Sequence, residues 1–246
     1  MLKRFISLVL KGLPSEVKSD LKRHFSIPEM QWSLANMREN GFRPSSIIDV
    51  GAYEGEWTQT AKQVFPDARV FMVEPQPDKA DALKAVSARS DDVVYDMTLL
   101  GPRSKEEVPF YLNETVSSVL PEYESTTPET ASMSMTTLDQ LADEKNFRAP
   151  DLLKLDVQGY ELEVLAGAER ILSSGHPEAI LMEVSLIEIN EGAPLFSEVT
   201  RRMDEYGYRL YDICSFFRRP LDDALWQVDA IFVRTDSPLV DSKRWG

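Results

Sequence analysis

Cysteine and histidine are nearly absent from this chain of 246 residues, which has one cysteine, Cys214, and two histidines, His24 and His176. A lone cysteine excludes an internal disulfide framework and any zinc cluster built on thiolates. The neighbours of Cys214 read as a strand, which makes it a buried, inert thiol. His24 falls in an N-terminal helical region and His176 follows a helix. Neither stands at the carboxyl end of a strand, so a catalytic histidine is not expected. Positive charge is scarce as well, with 27 Lys and Arg against 41 Asp and Glu and a formal net charge of −14. Binding along a phosphate backbone needs clustered basic residues, which sets nucleic acid aside as a partner. Long hydrophobic runs are missing too. The uncharged stretch from Phe5 to Leu10 in "MLKRFISLVLKGLP" is broken by Lys11. It is too short for a membrane span, short for a signal-peptide core, and followed by no small-residue cleavage site. Leu2, Phe5 or Ile6, Val9 and Leu13 recur at helical spacing. This predicts a helix docked on the body, with a weak membrane-surface anchor as the alternative. The expected location is cytoplasmic.

What is present is enough apolar material, 43% of residues, for one large α/β domain. Residues 1–44 read as an N-terminal helical segment packing on a core domain that spans 45–246. Within the first segment, a helix around Pro28 to Asn40 places Met30, Trp32, Leu34 and Met37 partly on one face, and Gly41 and Pro44 end it. From "SSIIDVGA" onward, strands and helices alternate. "GEWTQTAKQVF" is a helix, "ARVFMVEP" a strand stopped by Pro75, "DKADALKAVSAR" a helix and "DVVYDMTLL" a strand. A less regular stretch from Gly101 to Met135 holds a strand, "VPFYLN", and the polar segment "PEYESTTPETASMS". The short helix "TLDQLADEK" leads to "LLKLDVQGYELEVLAGAERIL", whose first half reads as a buried strand and whose second half reads as an amphipathic helix. Strand "AILMEVS", helix "LFSEVTRRMDEYG" and strands "YRLYDI" and "WQVDAIFVR" complete the chain. Such alternation predicts a doubly wound, mostly parallel sheet covered on both faces. The last two strands are joined without a helix, which predicts an antiparallel pair at a C-terminal edge.

In such a sheet, ligands sit beyond the carboxyl ends of the strands. The first strand ends in "DVGAYEGEW", where Gly51 and Gly55 flank the turn into a helix. A dinucleotide site would carry G-x-G-x-x-G so that the backbone approaches a pyrophosphate. Here Tyr53 and Glu56 occupy the second and third glycine positions, and Asp49, Glu54 and Glu56 add carboxylates that would repel a pyrophosphate. They suit a ligand bearing positive charge, such as an amino group or a sulfonium. About 20 positions past Gly55 comes Glu74, ending the second strand, where an acidic residue accepts hydrogen bonds from ribose hydroxyls. Ribose with a positively charged tail is the chemistry of S-adenosyl-L-methionine. The competing reading is that Asp49 and Glu74 cap loops and the glycines only make the turn.

The segments "IIDVGAYEGEW", "VFMVEPQP", "MTTLDQL", "LLKLDVQGYELEVLAGAERIL" and "ILMEVS" together resemble the FkbM family of S-adenosylmethionine-dependent methyltransferases, over roughly residues 45 to 235. The most specific element is the Lys-Leu-Asp-Val-x-Gly-x-Glu core. The family pattern has Glu where this chain has Gln158, one charge fewer, and it often has small or amide residues at the positions of Tyr53 and Glu54. The resemblance implies a Rossmann-like sheet of the class I methyltransferase type with a reversed last strand. It also implies methyl transfer to oxygen, often a hydroxyl of a sugar or secondary metabolite, so the expected partner is a small-molecule or glycan acceptor.

Methyl transfer from a sulfonium to an alcohol is helped by removing the hydroxyl proton as attack proceeds. Without a placed histidine, a carboxylate must do this, or proximity must carry most of the work. Asp156 ends the fourth core strand ahead of the turn, where compensation of the helix dipole does not require an acid. It is the first candidate for acceptor positioning or proton removal, with Glu161 as helper and Glu183 as a third candidate. Glu161 reads equally as a first-turn acid satisfying the dipole. Asp156 and Glu183 together would suit a divalent cation, but no dense acidic motif supports one and no metal is assigned. The expected cofactor set is Asp49, Gly51, Ala52, Tyr53, Gly55, Glu74, Pro75 and Asp96. Asp96 is expected at the adenine edge, with a solvent-facing loop acid as its equal alternative. Ser117 and Ser118 have two readings, lining the acceptor site or serving as ordinary loop residues. Arg218 and Arg219 in "FFRRP" read as solvated charges at a hairpin tip more readily than as hands for an anionic acceptor. Two rival functions stay open. One is a nicotinamide-dependent oxidoreductase on the same sheet, disfavoured by the missing G-x-G-x-x-G. The other is a methyltransferase-like binding module without turnover.

Overall fold

A computed structural model of the chain describes residues 27–113, 117–121 and 129–245, together with Pro14, Val17 and His24. The helix expected from Leu2, Phe5, Ile6, Val9 and Leu13 lies outside the described residues. The apolar runs of the sequence become the centre of a seven-stranded sheet. Its parallel part comprises β1 (Ser46–Val50), β2 (Arg69–Val73), β3 (Val93–Asp96), β7 (Leu152–Leu155) and β8 (Ala179–Ser185). The last two strands, β9 (Tyr208–Arg218) and β10 (Leu225–Arg234), run antiparallel, and the order across the sheet is β3-β2-β1-β7-β8-β10-β9. This is the doubly wound, mostly parallel sheet with an antiparallel edge pair that the alternation predicts.

Near-continuous burial of the central strands follows from having helices on both faces. On one face Ile48, Val50, Phe71, Val73, Leu153 and Leu155 pack with helices α4 (Leu138–Glu144), α5 (Glu161–Ala166), α6 (Glu169–Ser173) and α7 (Phe196–Glu205). On the other, Ile47, Val70, Met72, Leu152 and Leu181 meet α1 (Met30–Glu39), α2 (Glu56–Val64) and α3 (Ala80–Ser87). The described part of the N-terminal segment therefore joins the core through Leu34 and Met37 of α1. Among the described residues no helix is long and apolar enough to cross a membrane.

Three segments depart from the sequence reading. The stretch "DVVYDMTLL" divides into β3 and a separate β4 (Leu99–Leu100), which leaves the main sheet. β4 pairs instead with β6 (Glu129–Thr136), itself antiparallel to β5 (Lys105–Leu112), in a small second sheet. β6 comes largely from the segment read as polar and irregular. Only its Met135 is fully enclosed, where it packs with Leu99, Val108 and Phe110, so the strand is nearly all surface and carries little apolar signal. The amphipathic helix after the fourth core strand is broken into α5 and α6 at Gly167. A Cβ on Gly167 would lie 2.2 Å from the Gly101 carbonyl oxygen, so two backbones cross there.

A closer crossing joins the loops after β1 and β7. Gly51 has φ +73°, and a Cβ there would stand 1.8 Å from the Asp156 carbonyl oxygen. Gly207 has φ +83° with nothing within 4 Å of a built Cβ. Gly207→Ala is expected to cost about 1–2 kcal/mol, the ordinary left-handed penalty. Gly51→Ala must also displace backbone and is expected to exceed about 4 kcal/mol. Urea unfolding of both variants checks this; equal losses would show that the β1 and β7 loops separate freely.

Candidate active site

The carboxyl ends of β1, β2, β7 and β8 open into a cavity of about 520 Å³, roofed by the small second sheet and flanked by the β9–β10 hairpin. The strand pattern accounts for its charge. Asp49 on β1 lies opposite Lys154 on β7, and Asp156 follows two residues later on the same side. Glu183 on β8 pairs in register with Asp229 on β10. Alternation thus sets five ionisable side chains in a row along one face at the crevice.

Lys154 is the centre of that row. Its Nζ lies 3.2 Å from Asp49 Oδ1 and 3.3 Å from Asp156 Oδ2, and it donates to the Gly51 carbonyl at 2.9 Å. Burial alone would push the ammonium's pKa down, but Asp49 and Asp156 outweigh it and hold the value above the ordinary one. Asp49 is fully buried, and its other oxygen accepts from Thr58 Oγ1 at 2.7 Å. It stands behind the cavity wall, whereas Asp156, 35% exposed at the side chain, faces the space.

The turn between β7 and α5 is tightly specified. Gln158 has φ +55° and Gly159 φ +96°, so two successive residues are left-handed. Glu161 fixes this geometry, its Oε1 accepting from the amides of Val157 and Gly159, each at 3.1 Å. Its carboxyl is buried in the turn and absent from the cavity wall. Burial pushes its pKa up to about 7, with the backbone amides opposing and Asp156 adding to the shift. The Gln158 amide faces the cavity and donates from Nε2 to Asp156 Oδ1 at 2.9 Å and to Glu183 Oε2 at 2.7 Å. Glu183 lines the same wall, and its pKa is raised well above the ordinary 4.5, first by desolvation and then by Asp156 and Asp229. Asp229 sits behind it, hydrogen-bonded by Ser215 Oγ.

The opposite end of the cavity is organised by Glu74. Its Oε2 accepts from the Tyr53 amide at 2.8 Å and its Oε1 from the Gln76 amide at 3.0 Å. Burial raises its pKa against those two hydrogen bonds. Tyr53, at φ +50°, stacks its ring on Lys79 Nζ, 4.3 Å from the centroid. Gly51, Ala52, Tyr53, Glu74 and Pro75 all line the space. Ser117 lines it as well and donates to Gln76 Oε1 at 3.1 Å, while Ser118 turns its hydroxyl to the Gln158 carbonyl.

Gly55 and Asp96 are not brought to the wall. Gly55 packs its Cα side against Val86, Met72 and Leu83. Asp96, expected at the adenine edge, is tied to Lys145 at 2.5 Å and to Thr98 Oγ1, and Thr98 lines the cavity in its stead. Lys154, Trp57, Phe217 and Gln227 line the site without having been singled out. For Lys154 the signal was available: a lysine inside the apolar run "LLKLD" has to be paired to be buried. Arg218 and Arg219 are engaged at the hairpin tip with the Asp223 carbonyl and the Asp222 carboxylate. Among the described residues, no three or more His, Cys, Asp or Glu side chains are grouped to hold a metal ion.

Chains of similar fold include a precorrin-6y C5,15-methyltransferase from Geobacter metallireducens, with TM-score 0.47 and 12% identity, covering 82% of this chain and 86% of that one. A 1,6-didemethyltoxoflavin-N1-methyltransferase from Burkholderia thailandensis, bound to S-adenosylhomocysteine, has TM-score 0.46 and 12% identity over 95% and 90%. A magnesium protoporphyrin IX methyltransferase from Synechocystis PCC 6803, bound to S-adenosylmethionine, has TM-score 0.46 and 9% identity over 91% and 86%. No curated protein matches the chain in sequence. Residues 49–210 match the methyltransferase FkbM domain, a span that includes the loop after β1, Glu74, the β7 turn and Glu183. The chain belongs to the FkbM family of S-adenosylmethionine-dependent methyltransferases.

Proposed function

We propose that the protein methylates a hydroxyl oxygen of a small-molecule or glycan acceptor. The observation that carries this reading is the convergence of two carboxylates, Asp156 and Glu183, on the single Gln158 amide at one end of the cavity, with Glu74 at the other. The donor set fits the cofactor. Glu74 offers a buried carboxylate for ribose hydroxyls, Val73, Leu99, Leu100 and Phe110 offer apolar wall for a purine, and Glu54 and Glu56 supply negative charge for a sulfonium and an amino group. Gly51, Ala52, Tyr53 and Pro75 bring backbone and ring surface to the same end, while Asp49 and Gly55 shape the loop from behind. When bound, S-adenosylmethionine supplies an electrophilic methyl group.

The chain's own residues then divide the remaining work. Asp156, paired with Lys154 and Gln158, holds and orients the acceptor hydroxyl. Glu183, with its raised pKa, takes the hydroxyl proton. Glu161 acts through the turn, keeping Gln158 and Asp156 in place, and is a positioning residue.

Three tests follow from these assignments. S-adenosylmethionine or S-adenosylhomocysteine is expected to raise the melting temperature, and NAD and NADP are not, because a ligand stabilises the state that binds it. Glu74→Ala should weaken cofactor affinity in calorimetry by about 1–3 kcal/mol; unchanged affinity would remove Glu74 from the ribose site.

Asp156→Asn and Glu183→Gln should each bind cofactor nearly normally and lose about 10²–10⁴ in turnover. The base must be ionised, so turnover falls as pH drops through the raised Glu183 pKa. The acid limb of kcat/KM should therefore lie above the ordinary carboxylate range and disappear in Glu183→Gln. Wild-type turnover in both variants would leave proximity as the main source of rate.

Glu161 makes a separate thermodynamic signature. A carboxyl raised from 4.5 to about 7 binds its proton more tightly in the folded state. The extra stability is fully present below pH 4.5 and is lost as pH rises through about 7. The amount is roughly 3 kcal/mol. Glu161→Gln should flatten this slope in chemical denaturation, and an unchanged slope would assign the titration elsewhere.

A further inference from the structure

Thr98 is a hydroxyl whose hydrogen is already committed. Its Oγ1 donates to Asp96 Oδ1, and the other oxygen of that carboxylate, Oδ2, lies 2.5 Å from the Lys145 ammonium. Burial alone would raise the Asp96 pKa, but the hydrogen bonds from Lys145 and Thr98 outweigh it and hold the carboxyl below its ordinary value. An ionised carboxylate only accepts. The lysine behind Asp96 therefore fixes the direction of the bond from Thr98. A threonine hydroxyl has a single hydrogen and otherwise lone pairs. With that hydrogen on Asp96, Thr98 Oγ1 can offer nothing but acceptance.

The position of this hydroxyl gives its polarity a use. Asp96 ends β3 in register with Val73, the residue before Glu74, and its carbonyl accepts from the Glu74 amide at 3.1 Å. Thr98 stands two residues further on, half-buried, and lines the cavity, whereas Asp96 does not. Leu99 and Leu100 follow it and line the cavity with Val73 and Phe110. This is the apolar wall assigned above to the purine, beside the carboxylate assigned to the ribose. Apolar side chains cover a purine ring without telling one purine from another. Selection among purines needs a polar atom of fixed hydrogen-bonding sense.

Resting on the cofactor reading above, we propose that Thr98 selects a 6-amino purine by accepting from its exocyclic amine, with Asp96 and Lys145 as positioning residues that keep the hydroxyl in its accepting sense. A 6-oxo purine would set a carbonyl oxygen against an oxygen that has no hydrogen to give. A site built around one such bond rejects the analogue that cannot make it. The selection is thus relayed from the end of α4, through ammonium, carboxylate and hydroxyl, to the base. Asp96 acts on the purine without touching it.

The test is calorimetry on the full chain with S-adenosylhomocysteine and with S-inosylhomocysteine, which carries oxygen in place of the exocyclic amine. The wild-type chain is expected to bind the adenosyl compound about tenfold or more tightly. Thr98→Val removes the acceptor at nearly constant shape and should bring the ratio to within about threefold of unity, while Thr98→Ser keeps the hydroxyl and should preserve it. Asp96→Asn turns the hydroxyl round. Lys145 holds the amide oxygen, the amide nitrogen donates to Thr98 Oγ1, and the hydroxyl hydrogen is released toward the cavity. That variant should bind the inosyl compound at least as tightly as the adenosyl one, and it serves if Thr98→Val does not fold. A contact that only shapes the loop would weaken both ligands alike and leave the ratio where it was. A wild-type ratio near unity, or an undiminished ratio in Thr98→Val or Asp96→Asn, would overturn the inference. Failure of the wild-type chain to bind S-adenosylhomocysteine at all would instead bring down the cofactor reading on which it rests.

Discussion

A buried ammonium between two carboxylates organises this protein. Lys154 sits in the middle of a parallel sheet, where an unpaired charge would be prohibitively costly, and three oxygens solve the problem: Asp49, Asp156 and the Gly51 carbonyl. Each belongs to a different part of the site. Asp49 anchors the first strand and, through Thr58, the first turn of α2. Gly51 begins the loop that leads to Tyr53, whose amide holds Glu74. Asp156 begins the turn that carries Gln158. One side chain therefore couples both loops and both ends of the cavity. Removing it would leave Asp49 buried without compensation, a change of the kind that costs about 3–5 kcal/mol.

The surroundings of that lysine also explain why the two carboxylates on the cavity wall differ. Asp156 has the ammonium as a direct neighbour. Glu183 has an amide; desolvation raises its pKa first, and the like-charged neighbours Asp156 and Asp229 add to the shift. Glu183 is thus driven by its surroundings to a raised proton affinity, a recurrent way to prepare a carboxylate as a proton acceptor. Glu161, the third acid of the turn, is spent on backbone amides. Its carboxyl ties down the turn that enters α5 by accepting from the Val157 and Gly159 amides.

Much of this was legible in the sequence because strand and helix periodicities impose it. The sheet, its antiparallel edge, Gly51, Glu74, Asp156 and Glu183 all follow from where apolar runs end and what ends them. Other parts depend on tertiary contacts that leave little local signature. β6 is exposed along most of its length, so a run such as Glu129–Thr136 reads as polar linker until a partner strand is known. Asp96 closes a strand as Glu74 does, yet Lys145 from the end of α4 captures it. No local pattern announces a partner so far along the chain. Gly167 lies inside the run read as one amphipathic helix, and two backbones cross there.

The origin of each wall in the chain has a further consequence. The wall around Glu74 comes from the first two strand–helix units, whose loops are short, the first carrying Gly51 and Gly55 and the second Pro75 and Pro77. The wall opposite is assembled from the β7 turn, the end of β8 and the β9–β10 hairpin, which brings Phe217 and Gln227 to the space. That hairpin contacts the main sheet through its inner strand and leaves Phe216, Phe217 and Leu221 exposed. Changes at those three exposed residues disturb few core contacts, whereas changes at Gly51 or Lys154 disturb both loops at once. The exposed hairpin tip can therefore change in sequence at little cost to the core, while the Glu74 end stays constrained by packing. Gln158 lies on the boundary between the two, with its backbone fixed by the rigid turn and its side chain reaching Asp156 and Glu183.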